Sequence, residues 1–191
     1  MLISKLKLWS VKQMKNDKKQ TIDWSILHYD KWQLYVARTE KGLCYVGSPG
    51  QTYEELKSLM QKRFPNANLV ENKKALNPYL KELQEYFEGT RQTFSLPADI
   101  KGTPFQQEIW AALNQIPYGQ TCSYSDIAQI IQRPAAIRAV GTAIGANPIL
   151  ITVPCHRVIG KNGAITGYRG GTEMKRYLLQ LEAQSDRKKS I

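Results

Sequence analysis

The segment Ile149-Leu150-Ile151-Thr152-Val153-Pro154-Cys155-His156-Arg157 constrains this chain more than any other stretch. Its apolar and β-branched run is too short for a helix and shows no polar alternation, so it reads as a strand buried on both faces and ended by the proline. A cysteine and a histidine then stand side by side in the following loop. A thiol is a strong nucleophile only as thiolate, and a neighbouring base is one way to make thiolate near neutral pH. Taken alone, a single cysteine is more often a small buried hydrophobe. In an extended segment adjacent side chains also point to opposite sides, so direct contact between Cys155 and His156 is not expected.

The rest of the composition narrows the setting. The chain has 191 residues, of which 42% are hydrophobic, enough for two small domains or one large one with a real core. The longest apolar stretch, from about Pro148 to Pro154, falls far short of a membrane span. The segment Met1-Leu2-Ile3-Ser4-Lys5 lacks the apolar region of a secretory signal, so a cytoplasmic location and no membrane partner are expected. Cys44, Cys122 and Cys155 are an odd, widely spaced set and suggest no disulfide framework. With His28 and His156 they offer no zinc-ligand spacing, so neither metal nor cofactor is expected. The net charge of +11, from 27 basic and 16 acidic residues, favours polyanionic partners, nucleic acid first. The excess is shared: residues 1–99 hold 16 basic and 11 acidic residues, and residues 100–191 hold 11 and 5. A basic, well-solvated surface explains the charge equally well.

Along the chain, residues 1–20 carry Lys5, Lys7, Lys12, Lys15, Lys18 and Lys19 and read as a loosely attached basic arm. Strand-like segments follow at Thr21–Tyr29, Trp32–Thr39 and Gly42–Val46, separated by tight turns at Asp30-Lys31 and Glu40-Lys41-Gly42. A helix is expected from about Thr52 to Arg63, and another from near Asn77-Pro78 to Gly89. Residues 21–96 therefore form an α/β unit with a small three-stranded, mostly antiparallel sheet. Residues 103–185 form a second, mostly helical unit. It opens where Thr103 caps a helix with Pro104 at its first position, and Phe105, Ile109, Trp110 and Leu113 give that helix a buried stripe.

Within the second unit, Ser123 can cap a short helix running to about Ile131, and Gln132-Arg133-Pro134 is a turn. A further helix from about Ala135 to Ala146 stops before Asn147-Pro148, so the pair fits a helix-turn-helix. Ile137, Val140 and Ile144 share one face of this helix. Arg138, Ala139 and Thr142 fall on the outward face, which is small-sided apart from the arginine. Small side chains let a helix come close to a groove, where one long cation can probe between base pairs. Close packing against neighbouring helices explains the pattern equally well.

The ordered set resembles the O6-alkylguanine-DNA alkyltransferases, also called methylated-DNA–protein-cysteine methyltransferases. The residues that carry the resemblance are Pro117-Tyr118-Gly119-Gln120-Thr121, Ser123-Tyr124, Arg138-Ala139-Val140-Gly141 and Asn147-Pro148. They continue through Pro154-Cys155-His156-Arg157-Val158, Gly167-Tyr168-Arg169-Gly170-Gly171 and Glu182. The likeness runs from about Thr103 to Glu182. Before Asp99 it rests on general organisation only.

That resemblance implies a two-domain α+β protein, a ribonuclease-H-like N-terminal domain before a winged helix-turn-helix domain. It implies an O6-alkylguanine (and O4-alkylthymine) flipped out of duplex DNA and its alkyl group passed irreversibly to Cys155. Each molecule is then used once. His156 would act on the thiol through a water, oriented by Glu182. Tyr124 would hydrogen-bond the leaving guanine, and Asn147 would tie the helix-turn-helix to the cysteine loop. Arg138 would fill the space left in the base stack, with Ala139 and Thr142 beside it on a face set against the minor groove. The carbonyls of Cys155 and Val158 would take the guanine amino group, and Tyr168 would line the pocket. Arg169 stands where relatives vary, able to narrow the pocket or contact phosphate. The partner implied is double-stranded DNA, read by a monomer. The alternatives are a non-catalytic alkyltransferase-like lesion-binding protein, from which an intact Cys155 distinguishes this chain, a winged-helix regulator, or a thiol hydrolase.

Overall fold

Strands β1 (Thr21–Tyr29), β2 (Trp32–Thr39) and β3 (Gly42–Val46) form where β-branched and aromatic residues alternate between two turns. In this computed structural model, which describes residues 19–188, they pair antiparallel in sequence order. The basic arm expected over residues 1–20 thus lies almost wholly outside the described residues. Gly42 has φ +145, and a Cβ there would stand 2.3 Å from the Pro97 carbonyl oxygen, so only glycine fits the approach of the linker.

The sheet has four strands, not the expected three. Strand β4 (Asn68–Glu71) lies parallel to β1, giving the order β3-β2-β1-β4. It is four residues long, sits at the edge and buries little, so its sequence carries almost no alternation to read. Helix α1 (Tyr53–Arg63) covers one face of the sheet, opened by a capping box between Thr52 and Glu55. Helix α2 (Lys73–Phe87) covers the other. It starts earlier than Asn77-Pro78 suggests because Ala75 N–H donates to the Asn72 side chain at 3.0 Å and caps it. Pro78 therefore sits inside the helix, where it forfeits one amide donor. The buried row Leu76, Tyr79, Leu80, Leu83, Tyr86 and Phe87 offsets that loss.

The helical half begins with α3 (Pro104–Leu113), whose N-terminus is a capping box between Thr103 and Gln106. A two-residue strand β5 (Cys122–Ser123) leads into α4 (Tyr124–Ile130), capped by Ser123. A turn and one 3₁₀ turn (Pro134–Ala136) connect it to α5 (Ile137–Gly145). Helix α5 buries Val140, Ala143 and Ile144, whereas Ile137 is 44% exposed. The stripe shifts by one step because Ile137 directly follows the 3₁₀ turn, so its side chain projects outward beside Arg138 instead of inward with Val140. Strand β6 (Val158–Ile159) pairs parallel with β5, and α6 (Gly171–Lys188) closes the chain.

The strand expected over 149–153 does not form. Ile149 makes an isolated bridge to Val46, and the chain then turns, with Thr152 N–H bonding Leu150 O at 2.8 Å and Val153 N–H bonding Ile149 O at 3.2 Å. Ile151 has φ +73, costly for a β-branched residue by roughly 1–3 kcal/mol. The turn survives because Ile149, Leu150, Ile151 and Val153 are all buried in the main core. The edge of β3 positions this turn: Val46 N–H donates to Pro148 O at 3.1 Å, while at the other end Leu43 N–H bonds Pro97 O at 2.9 Å. One continuous core runs from the sheet through α3 to α6, so sheet and helical half are packed together. Among the described residues no helix is long and apolar enough to cross a membrane.

Candidate active site

Cys155, His156 and Arg157 form a single 3₁₀ turn rather than the extended segment expected, because the buried turn before them delivers Pro154 with its chain already bent. Cys155 is 4% exposed. The Asn147 side-chain amide, just beyond the end of α5, donates to Cys155 Sγ at 3.1 Å and to Val153 O at 3.0 Å. Its oxygen accepts from Ile149 N–H at 2.9 Å. Asn147 is therefore fully used in fixing the cysteine turn to the helix before it. Burial pushes the Cys155 thiol above its usual value, opposed by the Asn147 hydrogen bond and the charges of Arg169 and Lys175.

His156 is fully buried. Its Nε2 lies 2.6 Å from Glu182 Oε1, and Nδ1 makes no hydrogen bond among the described residues. Burial pulls the imidazole below its usual value, opposed by the hydrogen bond and charge of Glu182. For Glu182 burial favours the neutral acid, but the hydrogen bonds and charges of His156 and Arg157 overcome it and hold the carboxyl at about 2. Arg157 Nε donates to Glu182 Oε2 at 3.0 Å, and Gly119 N–H donates to the same oxygen at 2.9 Å. The resting site at neutral pH is a neutral thiol, a neutral imidazole and an ionised carboxylate. It is a latent nucleophile with its base held in one orientation.

The thiol faces a cavity of about 390 Å³ lined by Tyr124, Gly141, Ile144, Gly145, Gly167, Tyr168 and Arg169. A larger cleft of about 770 Å³ shares Arg169 and Gly145 with it but holds no cysteine or histidine, so the smaller cavity is where chemistry can occur. Tyr124 is the first residue of α4, and its hydroxyl makes a long contact, 3.5 Å to Thr166 O. The Tyr168 hydroxyl is buried without a hydrogen-bond partner among the described residues, and its ring meets His156 edge-on at 6.3 Å between centroids. Val158 is fully buried, and its carbonyl accepts from Lys175 Nζ at 2.5 Å. The Cys155 carbonyl accepts from Val158 N–H. Each carbonyl oxygen retains a second lone pair.

Arg169 neither narrows the cavity with a free side chain nor reaches outward. Its guanidinium donates to Val46 O (2.9 Å), Asn147 O (3.2 Å), Pro148 O (3.2 Å), Tyr45 Oη (3.2 Å) and Ser48 Oγ (3.3 Å). It clasps β3 to the turn that carries the cysteine. Arg138, Ala139 and Thr142 lie exposed on α5, away from the thiol, with Thr142 Oγ1 donating back to Arg138 O at 3.1 Å.

Two charged residues escaped the sequence reading. Arg157 is 7% exposed and bridges Glu182 to the Ile116 carbonyl at 2.6 Å. Lys175 is fully buried and donates to Val158 O, Thr166 O (2.7 Å) and Gly167 O (3.4 Å), fixing the loop that forms one cavity wall. Burial pulls its ammonium down to about 8. The available signal was periodicity: Lys175 and Glu182 interrupt the apolar stripe of α6 marked by Met174 and Leu178. Among the described residues no group of histidine, cysteine and acidic side chains could hold a metal.

The site is a buried cysteine beside an oriented histidine, opening on a cavity next to two short helices in a basic chain. Comparison with known proteins gives the family. The model of the 6-O-methylguanine DNA methyltransferase DNA-binding domain matches residues 104–184, and that of the family's ribonuclease-like domain matches residues 22–100. The chain belongs to the 6-O-methylguanine DNA methyltransferase family. It is 57% identical over 167 residues to the inducible methylated-DNA–protein-cysteine methyltransferase of Bacillus subtilis, covering 87% of this chain and 93% of that one. The corresponding Methanosarcina barkeri protein is 42% identical, over 78% of this chain and 89% of that one. Among solved structures, the Mycobacterium tuberculosis O6-methylguanine methyltransferase superimposes with a TM-score of 0.72 at 38% identity, over 86% of this chain and 94% of that one. The same mycobacterial protein in complex with DNA gives 0.72 at 37% identity, with the same coverage.

Proposed function

We propose that this protein repairs DNA by direct damage reversal, as a methylated-DNA–protein-cysteine methyltransferase with Cys155 as the alkyl acceptor. The observation that carries the reading is the placement of the buried Cys155 thiol on the 390 Å³ cavity, with Asn147 on its sulfur and a Glu182–His156 pair behind it. An alkyl group on O6 of guanine lies inside the duplex, so the nucleotide must rotate out into that cavity. A damaged thymine carrying O4-alkyl presents the same bond and is a second substrate.

Chemistry follows from the charges. His156 Nδ1, the nitrogen that Glu182 leaves unused, takes the Cys155 proton through a water. The thiolate then attacks the alkyl carbon in line, the carbon–oxygen bond breaks, and its electron pair passes into the guanine ring. Tyr124, free of strong internal hydrogen bonds, donates to a ring nitrogen and disperses that charge, a role typically worth a factor of about 10²–10⁴. The net exchange turns S–H and O–alkyl into S–alkyl and neutral guanine, the proton that left the thiol being the one the guanine anion regains. The second lone pairs of the Cys155 and Val158 carbonyls accept the guanine amino group, and Tyr168 walls the pocket. A thioether has no group beside it able to reverse the bond, so each molecule acts once.

For DNA, the exposed face of α5 is the contact surface, set in the minor groove with Arg138 entering the stack and Ala139 and Thr142 against the backbone. Residues 21–96 then act as a ribonuclease-H-like domain and residues 103–185 as a winged helix-turn-helix domain. The protein works as a cytoplasmic monomer, because one site and one DNA face suffice. The test is stoichiometry. Incubated with excess O6-methylguanine oligonucleotide, the intact protein should gain the mass of one methylene, mapped to Cys155 and abolished in Cys155→Ser. Repeated turnover, or alkylation of Cys44 or Cys122, would refute the reading.

A further inference from the structure

Tyr86 belongs to the sheet half, one residue before the end of α2, yet its side chain is fully buried against the acceptor site. Its hydroxyl donates to Glu182 Oε1 through a very short contact and lies 3.2 Å from His156 Nε2. Glu182 Oε1 thus receives Tyr86 and His156 together, with a longer share of Arg157 Nε at 3.2 Å, while Oε2 receives Arg157 at 3.0 Å and Gly119. The Tyr86 ring stacks on Phe94 at 5.2 Å and meets Tyr118 edge-on at 5.8 Å between centroids. Phenylalanine would satisfy that packing. The hydroxyl is placed on the one oxygen that orients the base.

We infer that Tyr86 is a positioning residue for alkyl transfer, a third member of the Glu182–His156 relay supplied by the N-terminal half, which sets the basicity of His156 through the Glu182 oxygen they share. The inference rests on Cys155 and His156 acting as proposed above. A proton donated to Oε1 withdraws negative charge from the oxygen that His156 also uses, so the imidazolium is stabilised less and His156 stays neutral and able to accept the thiol proton. The same bond fixes the carboxylate so that His156 Nε2 is held and Nδ1 is presented. Burial and the charge of Glu182 raise the Tyr86 phenol far above its ordinary value, so it acts only as a donor. The other charged or titratable groups facing the relay are Arg157, whose guanidinium also lies over the Tyr118 ring, Tyr168, Lys175 and the Cys155 thiol. Of these Arg157 touches Glu182 directly.

The experiment measures the rate of transfer from free O6-benzylguanine against pH, a substrate that removes DNA binding from the reading. Wild type should lose rate towards acid as His156 takes a proton. Tyr86→Phe should lower the plateau about tenfold and move that acidic limb up by about one pH unit, since the imidazole becomes the stronger base. Replacing Tyr86 by 3-fluorotyrosine keeps the shape but makes a stronger donor, so it should move the limb the other way, and it serves if Tyr86→Phe folds poorly. In a Glu182→Gln background, Tyr86→Phe should add little further loss. An unshifted limb in both Tyr86 variants, or full additivity with Glu182→Gln, would overturn the assignment and leave Tyr86 a packing residue. Absence of any Cys155 alkylation in wild type would instead overturn the acceptor reading itself.

Discussion

At the scale of single residues, Glu182 carries the largest electrostatic consequence. Its folded carboxyl sits at about 2 against the usual 4.5, so its hydrogen bonds and its pairing with Arg157 stabilise the fold fully above pH 4.5. That contribution is lost as the pH falls from 4.5 through 2. His156, lowered by burial, adds a loss of the same sign that begins below its usual 6.5, because the unfolded chain takes up the proton first. The pair should therefore make the protein acid-labile. Glu182→Gln should cost about 3 kcal/mol at neutral pH, since it leaves Arg157 buried against a neutral amide. It should also flatten the stability curve between pH 4.5 and 2. Urea denaturation at a series of pH values would check both, and an unchanged acid slope would show that the titrating group lies elsewhere. Cys155, His156, Glu182, Asn147, Tyr124, Tyr168 and Arg169 were all legible as a set because they recur in an ordered series of short motifs, and the fold gathers them around one cavity or directly behind it. Tyr86 was not legible. It reads as an ordinary core aromatic of α2, and nothing in its neighbours shows that its hydroxyl meets a carboxylate 96 residues away.

At the scale of elements, local chemistry wrote the clearest boundaries. Strands β1 to β3 begin and end where the turn residues Asp30-Lys31 and Glu40-Lys41-Gly42 place them. Helices α1, α3 and α4 begin at Thr52, Thr103 and Ser123, each with a side chain three residues on that completes a capping box. Signals failed where tertiary contacts outvoted them. Pro78 marks a helix start only if no better cap lies upstream, and Asn72 provides one. The run 149–153 has strand composition but finds only one bridging partner at the edge of β3, so it coils into a buried turn. Helix α5 carries the exposed face proposed above to meet DNA. With Val140, Ala143 and Ile144 inward, the outward face holds Arg138, Ala139 and Thr142, and Arg138 makes no ion pair among the described residues. Arg138→Ala should therefore leave the fold intact. It should slow repair of methylated duplex at least tenfold while changing transfer from free O6-benzylguanine less than twofold. Single-turnover rates on the two substrates would show it, and equal losses would give Arg138 a structural role.

At the scale of the whole molecule, the Cys155 site depends on how the sheet half grips the helical half. The grip has three parts: the continuous core, the backbone bonds from β3 to the linker and the 148–150 turn, and the Arg169 guanidinium. Sequence patterns showed two units and a linker but not this seam, since contacts that form it, such as Arg169 to Val46, join residues more than 100 positions apart. Arg169 was open to either pocket narrowing or phosphate contact, and its five acceptors give it a different task. It draws the Asn147 and Pro148 carbonyls towards Val46, and Asn147 in turn holds the Cys155 sulfur. Removing it should act in two ways at once. Arg169→Ala leaves several partly buried carbonyls short of a donor, so stability should fall by about 2–4 kcal/mol. The cavity wall it shares should loosen, so methyl transfer should slow while the preference for benzyl over methyl adducts rises. Thermal denaturation and competition between O6-methyl- and O6-benzylguanine oligonucleotides measure the two effects. Were Arg169 a phosphate ligand, the substitution would weaken duplex affinity, leave thermal stability unchanged and leave adduct preference where it was. The network of carbonyls around its guanidinium argues for the first outcome, because an arginine already donating to five oxygens has no free edge to offer a phosphate.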